Sequence, residues 1–438
     1  MQSTYDVQEL IRRPAFKCAC GKEHRAHLKD AAVRPGAIGL LSGYIKKYGG
    51  TRAFLIADEN TFAAAGDRVI ENLEQNGVPY TRFTYGKERV EPDEKALGSL
   101  ILHFDHRCDI LVAVGSGVIN DITKILAKLT GLPFIVVATA PSMDGYASST
   151  SSVIRGGLKV SVDSACPDVI LGDTDVLKNA PPLMLQAGLG DMLAKYTSLC
   201  EWRIGREVTG EYYCEEVAKM IRAAVKKCVD NAPGLLTGDP AAVNAVMEGL
   251  IISGVAADWA GVSRPVSGTE HYFSHLWDMR ALEFGTPWSL HGVQCGIGEL
   301  LTLKRYETLK TLRPDKQEAQ RFFDGFDRDA WFGKIEEYLG RSAKAIIDGA
   351  LGSDRYDKAK HARRICNICG RWDKILRIID EELPPYEETE HILKTIGAPT
   401  RPSDIGIPDE ETDLAFRMTR DIRDKYILSS LMWDMGKL

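Results

Sequence analysis

The sequence of 438 residues has no surplus of positive charge: 55 Lys and Arg stand against 61 Asp and Glu, a formal net charge of −6. A partner for nucleic acid needs a basic surplus to neutralise phosphates, so that class is set aside. A small anionic substrate is not, because local basic residues decide that. No apolar run reads as long enough to span a bilayer, and no membrane insertion is expected. The opening stretch, Met1 to Arg13, lacks the apolar centre of a secretion signal. There is neither an internal repeat nor a low-complexity tract. Cysteine is thin, ten residues scattered along the chain. Outside small secreted scaffolds, that usage reads as reduced thiols in the cytoplasm.

What is present is ordinary globular material, 44% hydrophobic and 26% charged, too long for one small core. The first part alternates in type. Arg52–Ala57, Tyr80–Thr84, Asp109–Val114 and Phe134–Ala138 read as strands. Thr61–Gln75, Pro92–Phe104 and Val118–Leu129 between them have helical spacing. Such alternation predicts a parallel sheet with helices on both faces. After about Pro182 the periodicity is helical throughout, as in Leu185–Ile204, Glu211–Asn231, Ala241–Trp259 and Leu290–Tyr306. The expected fold is an α/β N-terminal domain with a Rossmann-like parallel sheet plus an all-α C-terminal domain. The boundary is set at the Asn179–Pro182 turn: residues 1–181 bind dinucleotide, and residues 182–438 hold metal and substrate. The charged stretch 313–385 reads as solvent-facing helices that stop at Pro384–Pro385.

Val114-Gly-Ser-Gly-Val-Ile-Asn-Asp121 falls where a strand meets a helix. Glycines there let backbone approach a phosphate, and the first amides of the helix point at the anion. The third glycine of the usual G-x-G-x-x-G is replaced by Asn120. Gly115, Ser116, Gly117, Asn120 and Asp121 are the candidate cofactor residues of this turn. Asp58 closes an earlier strand and reads either as a ribose acceptor or as a helix cap. A second polar turn, Thr139 to Ser148, follows another strand. It adds Thr139, Ser142 and Ser148 on the cofactor side and Asp144 on the substrate side, unless it is merely a turn.

Three of the nine histidines, His271, His275 and His291, fall close together. Asp191 and Lys195 share a helix face by their spacing. Imidazoles with a carboxylate suit zinc, nickel or iron with positions open to substrate. Spacing leaves open which two histidines bind. The Glu of an H-E-x-x-H protease is missing between His271 and His275. Cys18-x-Cys20, with His24 and His27 close behind, and Cys366-x-x-Cys369 could together supply four soft zinc ligands. Neither has the second half-site of a zinc ribbon, and they are read as ordinary thiols.

Together these segments resemble the superfamily of iron-containing alcohol dehydrogenases, glycerol dehydrogenase and dehydroquinate synthase, and within it the bacterial kind of the glycerol-1-phosphate dehydrogenase family. The segments carrying the resemblance are VGSGVINDITK (114–124), ATAPSMDGYASSTSSVI (138–154), AGLGDMLAKYTSLCEW (187–202), SRPVSGTEHYFSHLWD (263–278), LHGVQCG (290–296), TIGAPTRPSDIGI (395–407) and RDIRDKYILSSL (420–431). It covers most of the chain from about residue 30. It implies Asp191, His271 and His291 as metal ligands. His275 is left to contact substrate and move protons, with Asp144 orienting a substrate hydroxyl. Arg264 and Lys195 become candidates for a substrate phosphate, against the alternative of a surface pair. Asp191 also counts among the substrate contacts. Val118 stands where relatives often carry Thr or Ser, and Val293 where archaeal relatives carry Glu.

The implied activity is reversible, NAD- or NADP-dependent reduction of dihydroxyacetone phosphate to sn-glycerol 1-phosphate, an entry to phospholipid synthesis. One divalent metal (Zn, Ni or Fe) polarises the carbonyl. A homo-oligomer is expected. A glycerol-type polyol dehydrogenase and a dehydroquinate synthase-like lyase remain alternatives. The lyases usually carry Glu where this chain has Asp191, which counts against the second. A non-catalytic relative would retain the fold without this ligand set.

Overall fold

A computed structural model describes residues 5–86 and 89–438, so Met1–Thr4 of the opening stretch lie outside the described residues. The strands are β1 (Phe16–Lys17), β2 (Glu23–His24), β3 (Asp30–Arg34), β4 (Ala53–Asp58), β5 (Tyr80–Tyr85), β6 (Ile110–Gly115), β7 (Phe134–Ala138), β8 (Thr150–Arg155), β9 (Leu158–Asp163) and β10 (Val169–Asp173). Six of them form one parallel sheet in the order β3-β10-β7-β6-β4-β5. β6, β7 and β10 are buried along their whole length. That is why they read as unbroken apolar runs rather than as alternating ones. The apolar pattern does not flag β3, whose DAAVR has one branched residue, or the antiparallel hairpin β8–β9.

Chain order places a switch point between β4 and β6: β5 lies beyond β4, and β7 lies beyond β6. Crevices at the carboxyl ends of such strands are where open α/β sheets take ligands. Asp58 ends β4 and Gly115 ends β6, so Asp58 and the glycine-rich candidate cofactor turn both occupy that rim.

The chain groups into two compact units. One runs through Met192 and adds Lys219–Val262; the other comprises Leu193–Ala218 and Ser263–Leu438. A single cut after residue 181 follows the change of periodicity, whereas packing divides the helices differently. Helix Pro240–Ala260 lies against the short turn Asp144–Ala147 in the first unit. By length and composition this helix does qualify as a membrane span, contrary to the expectation above. Yet 72% of its apolar window is buried, as in a core helix.

In the second unit, helices Thr269–Phe284 and His291–Thr311 pack side by side. The stretch expected to be one helix from Leu185 to Ile204 is two, Pro182–Leu193 and Lys195–Thr209, interrupted at Ala194. The charged stretch forms Lys316–Gly325, Arg328–Leu339, Ala343–Gly352 and Lys358–Glu382, the last ending at the prolines as expected.

Candidate cofactor, metal and substrate residues

In the first unit, helix Gly117–Thr130 starts directly from β6, and its N-cap Ser116 makes no side-chain capping bond. Its first-turn amides are the chemistry that holds a phosphate. Ser116 Oγ instead pairs with Ser142 Oγ at 2.6 Å and accepts from Tyr146 Oη at 3.2 Å. This pairing joins the two candidate cofactor turns, and the Thr139 amide joins them again through Gly115 O at 3.2 Å. Asn120 is fully buried, and its Nδ2 donates to Gly145 O at 3.4 Å. Asp121 turns towards the β8–β9 hairpin, accepting from Ser152 N at 3.2 Å beside Lys124. Burial pushes its carboxyl up, against the pull of Lys124. Ser148 Oγ donates to Thr150 O at 2.9 Å and accepts from Lys124 Nζ at 3.0 Å. Asp58 caps the next helix, accepting from Thr61 N at 2.8 Å. Asn120, Asp121 and Ser148 thus hold the turns together, and Asp58 fills the cap role that was one of its two readings.

Lys124 is missing from the sequence reading. It is fully buried and donates to Gly145 O, Ser148 Oγ and Thr150 O. Its signal was a lysine on the inward face of an apolar helix.

The loop carrying Asp144 is fixed to the helix carrying Asp191. Asp144 N donates to Asp191 Oδ2 at 2.9 Å, and Asp144 Oδ2 accepts from Ser253 Oγ at 2.8 Å. Asp191 is fully buried. Gly188, one turn earlier, permits the approach: a Cβ there would lie 1.8 Å from Pro141 O.

In the second unit, His271 and His291 stand with ring centroids 5.1 Å apart. His271 Nδ1 faces Glu270 Oε1 at 2.8 Å, and the same oxygen accepts from Gly268 N at 2.6 Å. A carboxylate partner puts the proton on Nδ1 and the lone pair on Nε2, the arrangement of a metal-binding imidazole. His291 Nδ1 faces Ser274 Oγ at 2.9 Å. Gln294 Nε2 holds that hydroxyl at 3.0 Å and reaches Asp278 Oδ1 at 2.9 Å. His275 stacks on His291 at 5.9 Å. Cys295 Sγ also comes within 3.5 Å of His291 Nε2, and it lies within 4.8 Å of ligand atoms of both histidines. Glu270, Ser274, Gln294 and Cys295 were all missed; adjacency to a histidine, or one helical turn from it, was the available signal.

Behind His271 lies Glu201, which accepts from Thr269 N and Oγ1 at 3.0 and 2.6 Å and from Leu428 N at 2.9 Å. Burial, with Glu270 nearby, pushes its carboxyl well above the usual carboxylate range.

Arg264 and Lys195 are not a surface pair: Arg264 is 5% exposed and Lys195 0%. Lys195 Nζ donates to Val266 O at 3.0 Å. Arg264 forks onto Glu211 at 2.9 and 2.7 Å, and its Nη2 also donates to the carbonyls of Glu201 and Tyr426, each at 2.9 Å. Its Nη1 is buried and has no hydrogen-bond partner among the described residues. Lys425, unmarked by sequence, donates to Ser263 O and Ser267 O at 3.2 and 2.9 Å. Burial, then Arg264 and Arg423, push its ammonium down to about 7. A buried donor and a destabilised cation are what an incoming phosphate relieves.

A family model described as iron-containing alcohol dehydrogenase matches residues 32–181. Glycerol-1-phosphate dehydrogenase, NAD(P)+, of Halalkalibacterium halodurans is 30% identical over 95% of this chain and 95% of its own. The enzyme of the same name from Geobacillus stearothermophilus is 31% identical over 96% and 95%. Among solved structures, a probable glycerol dehydrogenase from Sinorhizobium meliloti 1021 superposes with a TM-score of 0.57 at 17% identity, covering 93% of this chain and 95% of that one. Maleylacetate reductase from Rhizobium sp. strain MTP-10005 superposes at 0.58 and 12% identity, covering 94% and 96%. These structures share the fold.

Proposed function

Because the chain belongs to the glycerol-1-phosphate dehydrogenase family and is a dehydrogenase, we propose that it uses NAD or NADP to reduce dihydroxyacetone phosphate reversibly to sn-glycerol 1-phosphate. The observation that carries the phosphate part is the buried Arg264 Nη1 beside Lys425. Lys425 Nζ lies 5.7 Å from the ring of Tyr272, the residue after His271. The proposed phosphate place therefore lies against the helix that carries His271.

Asp191, His271 and His291 would hold the metal. The donor set fits the group: a buried carboxylate, and two imidazoles whose Nδ1 atoms are engaged by Glu270 and Ser274. It suits zinc, nickel or iron. When bound, the metal supplies Lewis acidity at the ketone oxygen, and the nicotinamide supplies the hydride. Glu270 and Ser274 orient the imidazoles. Asp144, steadied by Ser253, orients a substrate hydroxyl. His275 holds the proton delivered to the forming alcohol oxygen. Arg264, Lys195 and Lys425 receive the phosphate. On the cofactor side, the amides after Gly115-Ser116-Gly117 cradle pyrophosphate. Thr139 and Ser142 line the neighbouring turn, and Asp58 meets the ribose. Asn120, Asp121 and Ser148 support those turns.

The enzyme is placed in the cytoplasm as a homo-oligomer. The scattered use of its ten cysteines in a long chain supports a reducing compartment.

The test is oxidation of NADH and NADPH with dihydroxyacetone phosphate, set against unphosphorylated dihydroxyacetone. The phosphorylated ketone should be strongly preferred, and rigorous chelation should abolish turnover. Equal rates on both ketones would replace this reading by a polyol dehydrogenase. Turnover that survives chelation would end the metal reading.

A further inference from the structure

The N-terminal hairpin carries Cys18-x-Cys20-x-x-x-His24, a motif the dehydrogenase reading does not use. β1 and β2 pair with Phe16 opposite His24 and Lys17 opposite Glu23. Between them the chain turns tightly. Cys18 N donates to Lys22 O at 2.9 Å and Gly21 N donates to Cys18 O at 3.0 Å. Gly21 sits at φ +89°, the left-handed region that glycine adopts without strain. The turn gathers the Sγ atoms of Cys18 and Cys20 and a ring nitrogen of His24 within 4.8 Å of one another.

His24 is fully buried and its tautomer is set. Nδ1 faces Trp259 O at 2.7 Å, and a carbonyl only accepts, so the proton is on Nδ1. The lone pair is then on Nε2, which faces Cys20 Sγ at 3.3 Å. In a tetrahedral zinc shell, sulfur and nitrogen ligands stand about 3.6 Å apart, from Zn–S and Zn–N bonds of about 2.3 and 2.05 Å. A thiol donating to Nε2 accounts for Cys20 alone; it does not bring Cys18 to the same point. A carbonyl holding the far nitrogen of a histidine is also the usual support of a zinc ligand.

We propose that Cys18, Cys20 and His24 bind a structural zinc ion, distinct from the metal of the dehydrogenase reaction, with one position of the tetrahedron left to a fourth donor. His27, next along the chain, is not a ligand; it is engaged by Asp258 at 2.6 Å. Cys366 and Cys369 are not ligands either. They lie on helix Lys358–Glu382, where Cys366 Sγ accepts from Lys316 Nζ at 3.3 Å. The zinc would lock a hairpin that already grips the end of helix Pro240–Ala260. Lys22 Nζ donates to Ala260 O at 2.7 Å, and Phe16 packs edge-on against Trp259 at 5.3 Å. The same helix carries Ser253, the partner of Asp144.

The test uses the full-length enzyme. Elemental analysis and zinc-edge X-ray absorption are measured on the wild type and on His271→Ala, which removes the catalytic-type metal. His271→Ala should keep one equivalent of zinc, with at least two sulfur neighbours and one nitrogen. Cys18→Ser with Cys20→Ser should lose that equivalent. Should the double variant fail to fold, cobalt substitution of His271→Ala, in which the other metal site is disabled, decides. A thiolate-to-cobalt charge-transfer band supports the site, and its absence overturns it. Zinc retained in a folded double variant, or a zinc shell of nitrogen and oxygen only, also overturns it.

Discussion

The backbone amide of Asp144 donates to Oδ2 of Asp191 at 2.9 Å, so the candidate substrate-orienting residue and the candidate metal carboxylate move as one. Ser253 holds the Asp144 carboxylate from the other side at 2.8 Å.

That link depends on Gly188. A Cβ there would sit 1.8 Å from Pro141 O, a backbone atom that cannot rotate away. Gly188→Ala should cost about 1–3 kcal/mol of stability, as overpacking does, and should lower kcat by displacing Asp144. Urea titration and steady-state kinetics check both. An unchanged midpoint with unchanged kcat would mean that the loop gives way freely.

Glu270 fixes the tautomer of His271 from 2.8 Å. Glu270→Gln should weaken metal binding by about 10–100-fold, the usual effect of removing such a partner. Titration against a competing chelator measures it. Metal affinity equal to the wild type would remove Glu270 from the site.

His275 stacks on His291 yet is assigned to proton transfer rather than to the metal. His275→Ala should keep its metal and slow turnover by about 10²–10⁴-fold. Metal content and kcat are read on the same sample. Loss of metal would make His275 a ligand.

Lys425 has its ammonium pushed down to about 7 by burial and then by Arg264 and Arg423. It is charged below that pH and neutral above it. Substrate phosphate is already mostly dianionic above about pH 6, so a rise in KM as pH climbs through about 7 would come from the protein. Lys425→Met should raise KM at low pH and flatten its pH dependence, with kcat moved less. For stability the sign is set by the unfolded chain, where lysine stays protonated up to about 10.4. Between about 7 and about 10.4 the folded chain therefore holds one proton fewer, and the wild type should lose stability as pH falls from about 10.4 to about 7 and level off below that. A KM that does not vary with pH, or that varies equally in Lys425→Met, would take Lys425 out of the phosphate contact.

The fold was largely legible in the chain, because its parallel strands are buried on both sides and so appear as unbroken apolar runs such as ILVAVG and FIVVA. The order of those strands was not legible, since a strand's neighbours leave no mark on its own composition. Residue type and spacing singled out Asp144, Asp191 and the histidines, because carboxylates and imidazoles beside glycine turns are uncommon in apolar helices. Only the tertiary structure decided what holds them. Glu270 on His271, Ser274 and Gln294 behind His291, and Ser253 on Asp144 are hydrogen bonds, and their geometry is set by how helices pack. Tertiary structure alone also forked Arg264 onto Glu211 and set Lys425 beside it, although the two cations are far apart in the chain. A charge looks the same in sequence whether it faces water or is buried; burial and neighbours separate the solvated lysine from the one that loses its proton near neutrality.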